Sequence, residues 1–488
     1  MKPFYTNFWL RGKTLFVKWI DGNGIRQVSR YPIEPSLYIK SPDKKPTPFT
    51  DIFGNPVHEV NFSSPKEARD FAKSYEDTPG FPIFGFPRFA YAKINELFPG
   101  TMEFSIKHIN IGWIDIETEI GETFATPDNP HQRINAISLH YAGKMVTLSL
   151  YDVEGTIYCK TETELLEKFL IHWKIADLDV ISGWNTQGFD LPYIANRINL
   201  VLGDDRADEL SPFGAIQFQE VDTKWGSTQQ QVEIHGIASL DLLELYRKFV
   251  LQKQESYRLD FIAQKDLGVG KLEYEGSLKD LYENDVVKFI EYNQVDVIRT
   301  MQINEKRSLI ETAIGIAYTA KCHYKDSLTT ITLWDVIIAN HLSEQNIQVP
   351  FESGGSKSSK FEGAFVKDPI VGYHEWLMSF DLGSLYPSLK IAYNISPEKI
   401  VPMAECVSIR PSDIANNTEL YKKAKAKADS LNATLCANGA MFYRDSQGFV
   451  PLLLEQMLER RKTAKVAMKN WKKEAERARG ELKQRRSA

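Results

Sequence analysis

Asp115 and Glu117 are separated by a single residue in the stretch Ile114-Asp115-Ile116-Glu117-Thr118. Side chains alternate along an extended chain, so the two carboxylates share one face and Ile114 and Ile116 the other. Carboxylates held a few ångströms apart repel, and both stay ionised where a cation lies between them. An oxygen-only donor set suits Mg²⁺, or else Mn²⁺. Alone, such a triplet is equally well the solvated face of an ordinary strand.

Two later words add to it. In Ser182-Gly183-Trp184-Asn185-Thr186-Gln187-Gly188-Phe189-Asp190, the glycines allow a tight loop, Asn185 is placed to cap the next helix, and Asp190 begins that helix, which runs through Asn199. In Tyr292-Asn293-Gln294-Val295-Asp296, the phenol and the carboxylate are four residues apart, one turn apart on one helical face. Each has a plain structural reading by itself, as a helix-start carboxylate and a surface pair. In order along the chain they assemble four carboxylates and one phenol.

The elements that must position these groups follow an α/β pattern. A strand from about Ile109 carries Asp115. Alternating segments follow at Ile134 to Tyr141 and Val146 to Tyr151, then a helix from Glu162 to Lys174 and a buried strand from Leu178 to Asn185. A Gln-rich hairpin is expected around the Lys224-Trp225-Gly226-Ser227 turn, with its return at Val232 to Ile237. Tyr292 and Asp296 fall in one amphipathic helix from about Glu283 to Leu309, with further helices to about Glu344. Residues 1 to 108 read as a β-rich scaffold. Phe8 to Val17 alternates, Asp21-Gly22-Asn23-Gly24 marks a hairpin turn, and Trp9, Trp19 and Phe84 are core candidates.

Composition sets bounds. The chain has 488 residues, 43% hydrophobic and 25% charged, enough for two to four domains. A net charge of −5 argues against a uniformly basic coat, so any nucleic-acid contact must be local. Cys159, Cys322, Cys406 and Cys436 lie far apart and suggest reduced thiols. No run has the length and character of a signal peptide or membrane span, and a cytoplasmic protein is expected.

The three carboxylate words resemble the tyrosine variant of the DEDD-type 3′→5′ exonuclease domain, which is ribonuclease H-like. Further on, Asp381-Leu382-Gly383-Ser384-Leu385-Tyr386-Pro387-Ser388 resembles the first palm motif of family B DNA polymerases, of the type found as replicases in large tailed bacteriophages. The resemblance implies an α/β multidomain chain: an N-terminal domain (1–108), the exonuclease domain (109–309), a helical return to the N-terminal domain (310–352), the first part of a palm (353–448) and the first fingers helix (449–488). It implies two Mg²⁺ per active site. Asp115, Glu117, Asp190 and Asp296 would be exonuclease metal ligands, Tyr292 would orient water, and Asn185 and Phe189 would contact DNA. Asp381 and the Leu382 carbonyl would hold the palm metal, while Ser384, Leu385, Tyr386, Arg461 and Lys465 would contact the nucleotide. DNA primer-template, single-stranded 3′ ends, dNTPs, a sliding clamp and other replisome proteins are the implied partners, in the bacterial host cytoplasm and with no membrane.

This sequence departs from the family in containing no Y-G-D-T-D-S word, no second fingers helix and no thumb. Residues 451–488 carry twelve Lys or Arg against five Glu. A second polypeptide supplying the rest, or a truncated chain, is therefore expected. A free-standing exonuclease with a vestigial polymerase segment and a catalytically silent DNA-binding fragment remain as alternatives.

Overall fold

The computed structural model describes residues 1–41, 45–121, 125–222, 228–270, 278–351 and 366–487. The chain divides into two units, one of Met1–Phe49 with Pro56–Ser353, the other of Thr50–Asn55 with Gly354–Ala488.

The first unit begins with an antiparallel sheet of β1 (Phe4–Arg11), β2 (Thr14–Ile20) and β3 (Arg26–Pro32). Asp21 shapes the β2–β3 turn, its carboxylate accepting from the Asn23 and Ile25 N–H groups at 2.9 Å each. Then come β4 (Ser36–Lys40), β5 (Phe49–Asp51), β6 (Pro56–Asn61), α1 (Pro65–Ser74), β7 (Ile83–Phe84) and α2 (Phe89–Leu97), with β4 pairing antiparallel to both β6 and β7. Phe84 is buried, whereas Trp9 and Trp19 are only partly so.

The second sheet of this unit is built from β8 (Ile111–Thr118), β9 (Ile134–Tyr141), β10 (Lys144–Ser149), β11 (Ile157–Tyr158), β12 (Val180–Ser182) and β15 (Ala238–Ser239), in the order β11-β10-β9-β8-β12-β15. β9 runs antiparallel to β8 and β10, while β12 is parallel to β8 and β15. One antiparallel strand within an otherwise parallel core is the ribonuclease H-like arrangement. Ile114 and Ile116 face a core shared with Phe169, Leu170 and Trp173 of α3 (Glu162–Ala176) and Ile194 and Ile198 of α4 (Asp190–Leu202). Each such side chain withdrawn from water contributes about 1.5–3 kcal/mol, which fixes the face of β8 that turns inward. Asp115 and Glu117 therefore turn the opposite way.

That opposite face is covered too. β13 (Ile216–Asp222) and β14 (Thr228–Ile234) form a separate hairpin, followed by α5 (Leu242–Phe249), α6 (Leu259–Leu267), α7 (Leu278–Asn284) and α8 (Val286–Arg307). Phe289 and Ile290 of α8 pack on Ala136 of β9, and Ala136 is the cross-strand partner of Glu117. α8 is thereby laid across the carboxylate face of β8.

Several sequence expectations shift. The helix expected from about Glu283 to Leu309 is α8, which starts at Val286 because the Asp285 side chain accepts from the Lys288 N–H at 3.0 Å and caps it. Ser308, with φ of 52°, ends α8 before α9 (Leu309–Ala320). The strand expected over Leu178–Asn185 shortens to Val180–Ser182, since Gly183 starts the loop. The one expected at Val146–Tyr151 lies at Lys144–Ser149, where it pairs along β9. The hairpin's return strand starts at Thr228, ahead of the expected Val232; the Lys224–Ser227 turn lies outside the described residues. After α9 and α10 (Thr330–Ser343), Phe351 donates its N–H to the Ile83 carbonyl at 2.9 Å, and Tyr318 Oη donates to the Tyr5 carbonyl at 2.6 Å. Residues 309–351 are thus tied to the N-terminal strands.

The second unit has a small core of Val401, Ala428, Ala433 and Met441. Its elements include α11 (Leu385–Ala392), α12 (Pro411–Ala415), α13 (Glu419–Ser430), the paired strands Ala433–Leu435 and Met441–Tyr443, and the long α14 (Phe449–Ser487). The apolar side of α14 divides: Leu453 and Leu454 are buried, while Val466, Met468 and Trp471 are exposed. All four cysteines are free thiols. Among the described residues no helix is long and apolar enough to cross a membrane.

Candidate active site

Asp115, Glu117, Asp190, Tyr292 and Asp296 line one cavity of about 480 Å³ in the first unit, together with Trp184, Asn185, Phe189, Arg258 and Asp260. Strand β8, the loop after β12, the first turns of α4 and α6, and α8 contribute to it. Asp115 and Asp296, far apart in sequence, are brought together by the packing of α8 on the sheet and not by local geometry.

The loop from Gly183 to Phe189 sets Asp190. A Cβ on Gly183 would lie 2.5 Å from the Ile114 carbonyl oxygen and 2.3 Å from Thr186 Cγ2, so only glycine lets the loop turn against β8. Asn185 adopts φ of 66° and its backbone carbonyl accepts from Gly188 and Phe189. The expected side-chain cap by Asn185 is absent: Phe189 occupies the cap position of α4 with no side-chain cap, and Asn185 faces the cavity. The reason is that the Asn185 carbonyl closes a turn with the Gly188 and Phe189 N–H groups, which separates Asn185 from the start of the helix. Phe189 stacks on Tyr193 with centroids 5.2 Å apart.

Asp190 is buried, and one of its oxygens accepts from the Ile116 N–H at 3.0 Å. Burial pushes its carboxyl up to about 7, helped by the negative charges of Asp241 and Asp296 and opposed by that backbone donor. A buried group with this much unfavourable negative charge around it is what a divalent cation relieves. Asp115 is oriented by Asn293, whose Nδ2 donates to its Oδ2 at 2.7 Å. The donor chemistry fits Mg²⁺ or Mn²⁺. Among the described residues no three acidic, histidine or cysteine side chains close around one point, so each shell would also draw on water, backbone carbonyls or substrate phosphate, as Mg²⁺ sites commonly do.

Sequence reasoning passed over four residues here. Asn293 lies inside the quoted Tyr292–Asp296 word, but its bond to Asp115 depends on α8 crossing β8. Asp241 accepts from the Asn185, Gln187 and Leu243 N–H groups at 3.1, 3.0 and 2.9 Å, and so holds the Gly183–Phe189 loop; burial raises its carboxyl to about 6. Its placement ahead of Leu242-Leu243-Glu244 was a legible helix-cap signal. Arg258 and Asp260 enter the cavity with the first turn of α6.

The palm-motif residues lie in the second unit. Asp381 and Leu382 are exposed in a segment without regular structure, Ser384 is the left-handed residue before α11 with φ of 56°, and Leu385 and Tyr386 open that helix. Arg461 and Lys465 are exposed one turn apart on α14.

Comparison with known proteins gives two family matches. Residues 97–262 match the model described as DNA polymerase family B, exonuclease domain, and residues 329–486 match that described as DNA polymerase family B. Asp115, Glu117 and Asp190 fall in the first, Asp381, Arg461 and Lys465 in the second, and Tyr292 and Asp296 between them. The DNA-directed DNA polymerase of Escherichia phage RB69 is 30% identical over 96% of this chain and 54% of its own length. That of Enterobacteria phage T4 is 28% identical over the same shares. The DNA polymerase delta catalytic subunit of Caenorhabditis elegans is 26% identical over 66% of this chain and 29% of its own. The chain spans about half the length of the phage relatives it matches. With an exonuclease-domain match on the ribonuclease H-like sheet and a polymerase match over the palm motif, the chain belongs to the family B DNA polymerases.

Proposed function

We propose that the first unit hydrolyses DNA from the 3′ end, releasing nucleoside monophosphates, and that the second is the opening part of a polymerase palm and fingers. The convergence of Asp115, Glu117, Asp190, Asp296 and Tyr292 on one cavity carries the first half of this reading. Asp115, Glu117, Asp190 and Asp296 would between them hold two divalent cations, with water and substrate phosphate completing each shell. The chemistry such cations supply when bound is a more acidic water and shielding of charge at phosphorus. The chain's own part is positional. Asn293 holds Asp115, Tyr292 on α8 orients the attacking water, and Asn185 and Phe189 receive the terminal nucleotide. The water oxygen bonds to phosphorus, the P–O3′ bond breaks, and the water's proton passes through solvent to the departing oxygen.

In the second unit, Asp381 and the Leu382 carbonyl would hold a palm metal, with Ser384, Leu385, Tyr386, Arg461 and Lys465 around a dNTP. One carboxylate cannot hold the two cations of nucleotidyl transfer. Val371, Tyr373, Trp376, Leu377 and Phe380 are 83–96% exposed, a run of apolar surface that further polypeptide would cover. DNA synthesis is assigned to this unit together with the rest of a palm, fingers and thumb, on primer-template DNA beside a sliding clamp and other replisome proteins, in the host cytoplasm. The domain limits 109–309, 310–352, 353–448 and 449–488 belong to the same reading. The test is Mg²⁺-dependent degradation of an end-labelled single strand by the parent chain and by Asp115→Ala with Glu117→Ala. Degradation by the parent and none by the double variant is expected; equal rates would refute the site.

A further inference from the structure

We propose that Arg258 grips a phosphate of the DNA strand beside the scissile one. This rests on the exonuclease reading above. The cavity is lined by Asp115, Glu117, Asp190, Asp260 and Asp296, and Arg258 is its one cationic lining residue among the described residues. A polyanionic strand entering an acidic cavity is repelled unless cations meet it, and metal ions act only where the carboxylates lie.

Arg258 is fitted for a second point of attachment. Its backbone is fixed at the start of α6, where its N–H donates to Ser256 Oγ at 3.3 Å and its carbonyl accepts from Ile262 at 3.1 Å. Its side chain is exposed, and among the described residues its guanidinium has no hydrogen bond or ion pair. Elsewhere in this unit Arg26, Arg197, Arg206 and Arg307 are each engaged with a carboxylate. An unengaged guanidinium offers a planar fork that matches two phosphate oxygens. Because it pairs with none of the cavity carboxylates, it is set apart from the point where the scissile phosphate would be held. Its target is an adjoining phosphodiester.

The test measures hydrolysis of an unstructured oligodeoxynucleotide by the full chain with Mg²⁺, comparing parent, Arg258→Gln and Arg258→Lys. The expected result is a rise in KM of about tenfold for Arg258→Gln with kcat little changed, and partial recovery with Arg258→Lys. Oligonucleotides carrying one uncharged methylphosphonate at each non-scissile linkage near the 3′ end then locate the contact. At one linkage, parent and Arg258→Gln should have the same KM. An unchanged KM for Arg258→Gln, or a penalty that persists at every methylphosphonate position, would overturn the inference while leaving the exonuclease reading intact. No hydrolysis by the parent would overturn both.

Discussion

Arg26 of β3 clasps Asp179 from both sides, its Nη1 and Nη2 donating to Oδ2 and Oδ1 at 2.8 and 2.7 Å. Asp179 immediately precedes β12, so the pair joins the N-terminal sheet to the strand that leads into the Gly183–Phe189 loop. Lys18 lies 3.3 Å from the same carboxylate, and Thr6 Oγ1 and the Asn110 N–H also donate to it.

Burial by itself pushes the Asp179 carboxyl up, but Lys18, Arg26 and the Asn110 N–H together hold it below its ordinary value. A depressed folded-state pKa contributes stability above the unfolded value, about 3.9, and loses it as pH falls through the folded one. Asp179→Asn leaves Lys18 and Arg26 without their shared buried partner and should cost about 3–5 kcal/mol at pH 7. In urea unfolding of both proteins, that difference should shrink below about pH 4 and stay constant from about 5 to 7.

Asn293→Leu keeps the branched side-chain shape, though with larger methyl groups, and removes the 2.7 Å donor to the Asp115 carboxylate. A partner that orients a metal-binding carboxylate commonly matters by about 10–100-fold. The variant should keep its circular dichroism, lose exonuclease rate by that order, and need more Mg²⁺ for half-maximal rate. A Mg²⁺ requirement equal to the parent's would deny Asn293 this role.

Gly183→Ala places a methyl group 2.5 Å from a backbone carbonyl, which cannot retreat as a side chain could. Strain of about 1–3 kcal/mol is expected, with the loop displaced and hydrolysis reduced. Thermal unfolding and rate together check this; an unchanged melting temperature would mean that the loop relaxes freely.

Gln229 of β14 reaches across to the Gly183–Phe189 loop, its Nε2 donating to the Gly188 carbonyl at 2.6 Å. If the hairpin helps part primer from template, Gln229→Ala should slow excision from mismatched duplex ends several-fold more than from single strands. Equal slowing on both substrates would reduce Gln229 to a structural tie. Deleting the strand is a poorer test, since Val232 is buried in the core.

Asp381 and the cavity belong to different units, and Asp381→Ala should leave single-strand hydrolysis at the parent rate. Loss of that activity would contradict separate sites.

Local periodicity was enough to read the elements and the residue types they carry. Alternation puts Asp115 and Glu117 on a common face, Gly183 and Gly188 mark a loop, and i,i+4 spacing places Tyr292 and Asp296 on one side of a helix, because strand and helix periods are local properties of the backbone. The family resemblance is legible in the same words. Which elements meet is settled by tertiary packing. The crossing of α8 over β8 pairs Asn293 with Asp115, and the packing of α6 brings Arg258 and Asp260 into the cavity. The sheet order lets Arg26 reach Asp179, 153 residues away. Such contacts join distant positions through the burial of Ile114, Ile116, Phe289 and Ile290, a three-dimensional fit that no local spacing encodes. The same limit explains the misread cap at Asn185: the turn it closes with Gly188 and Phe189 belongs to a loop packed against β8 at Gly183, and that packing arises only once the sheet is assembled.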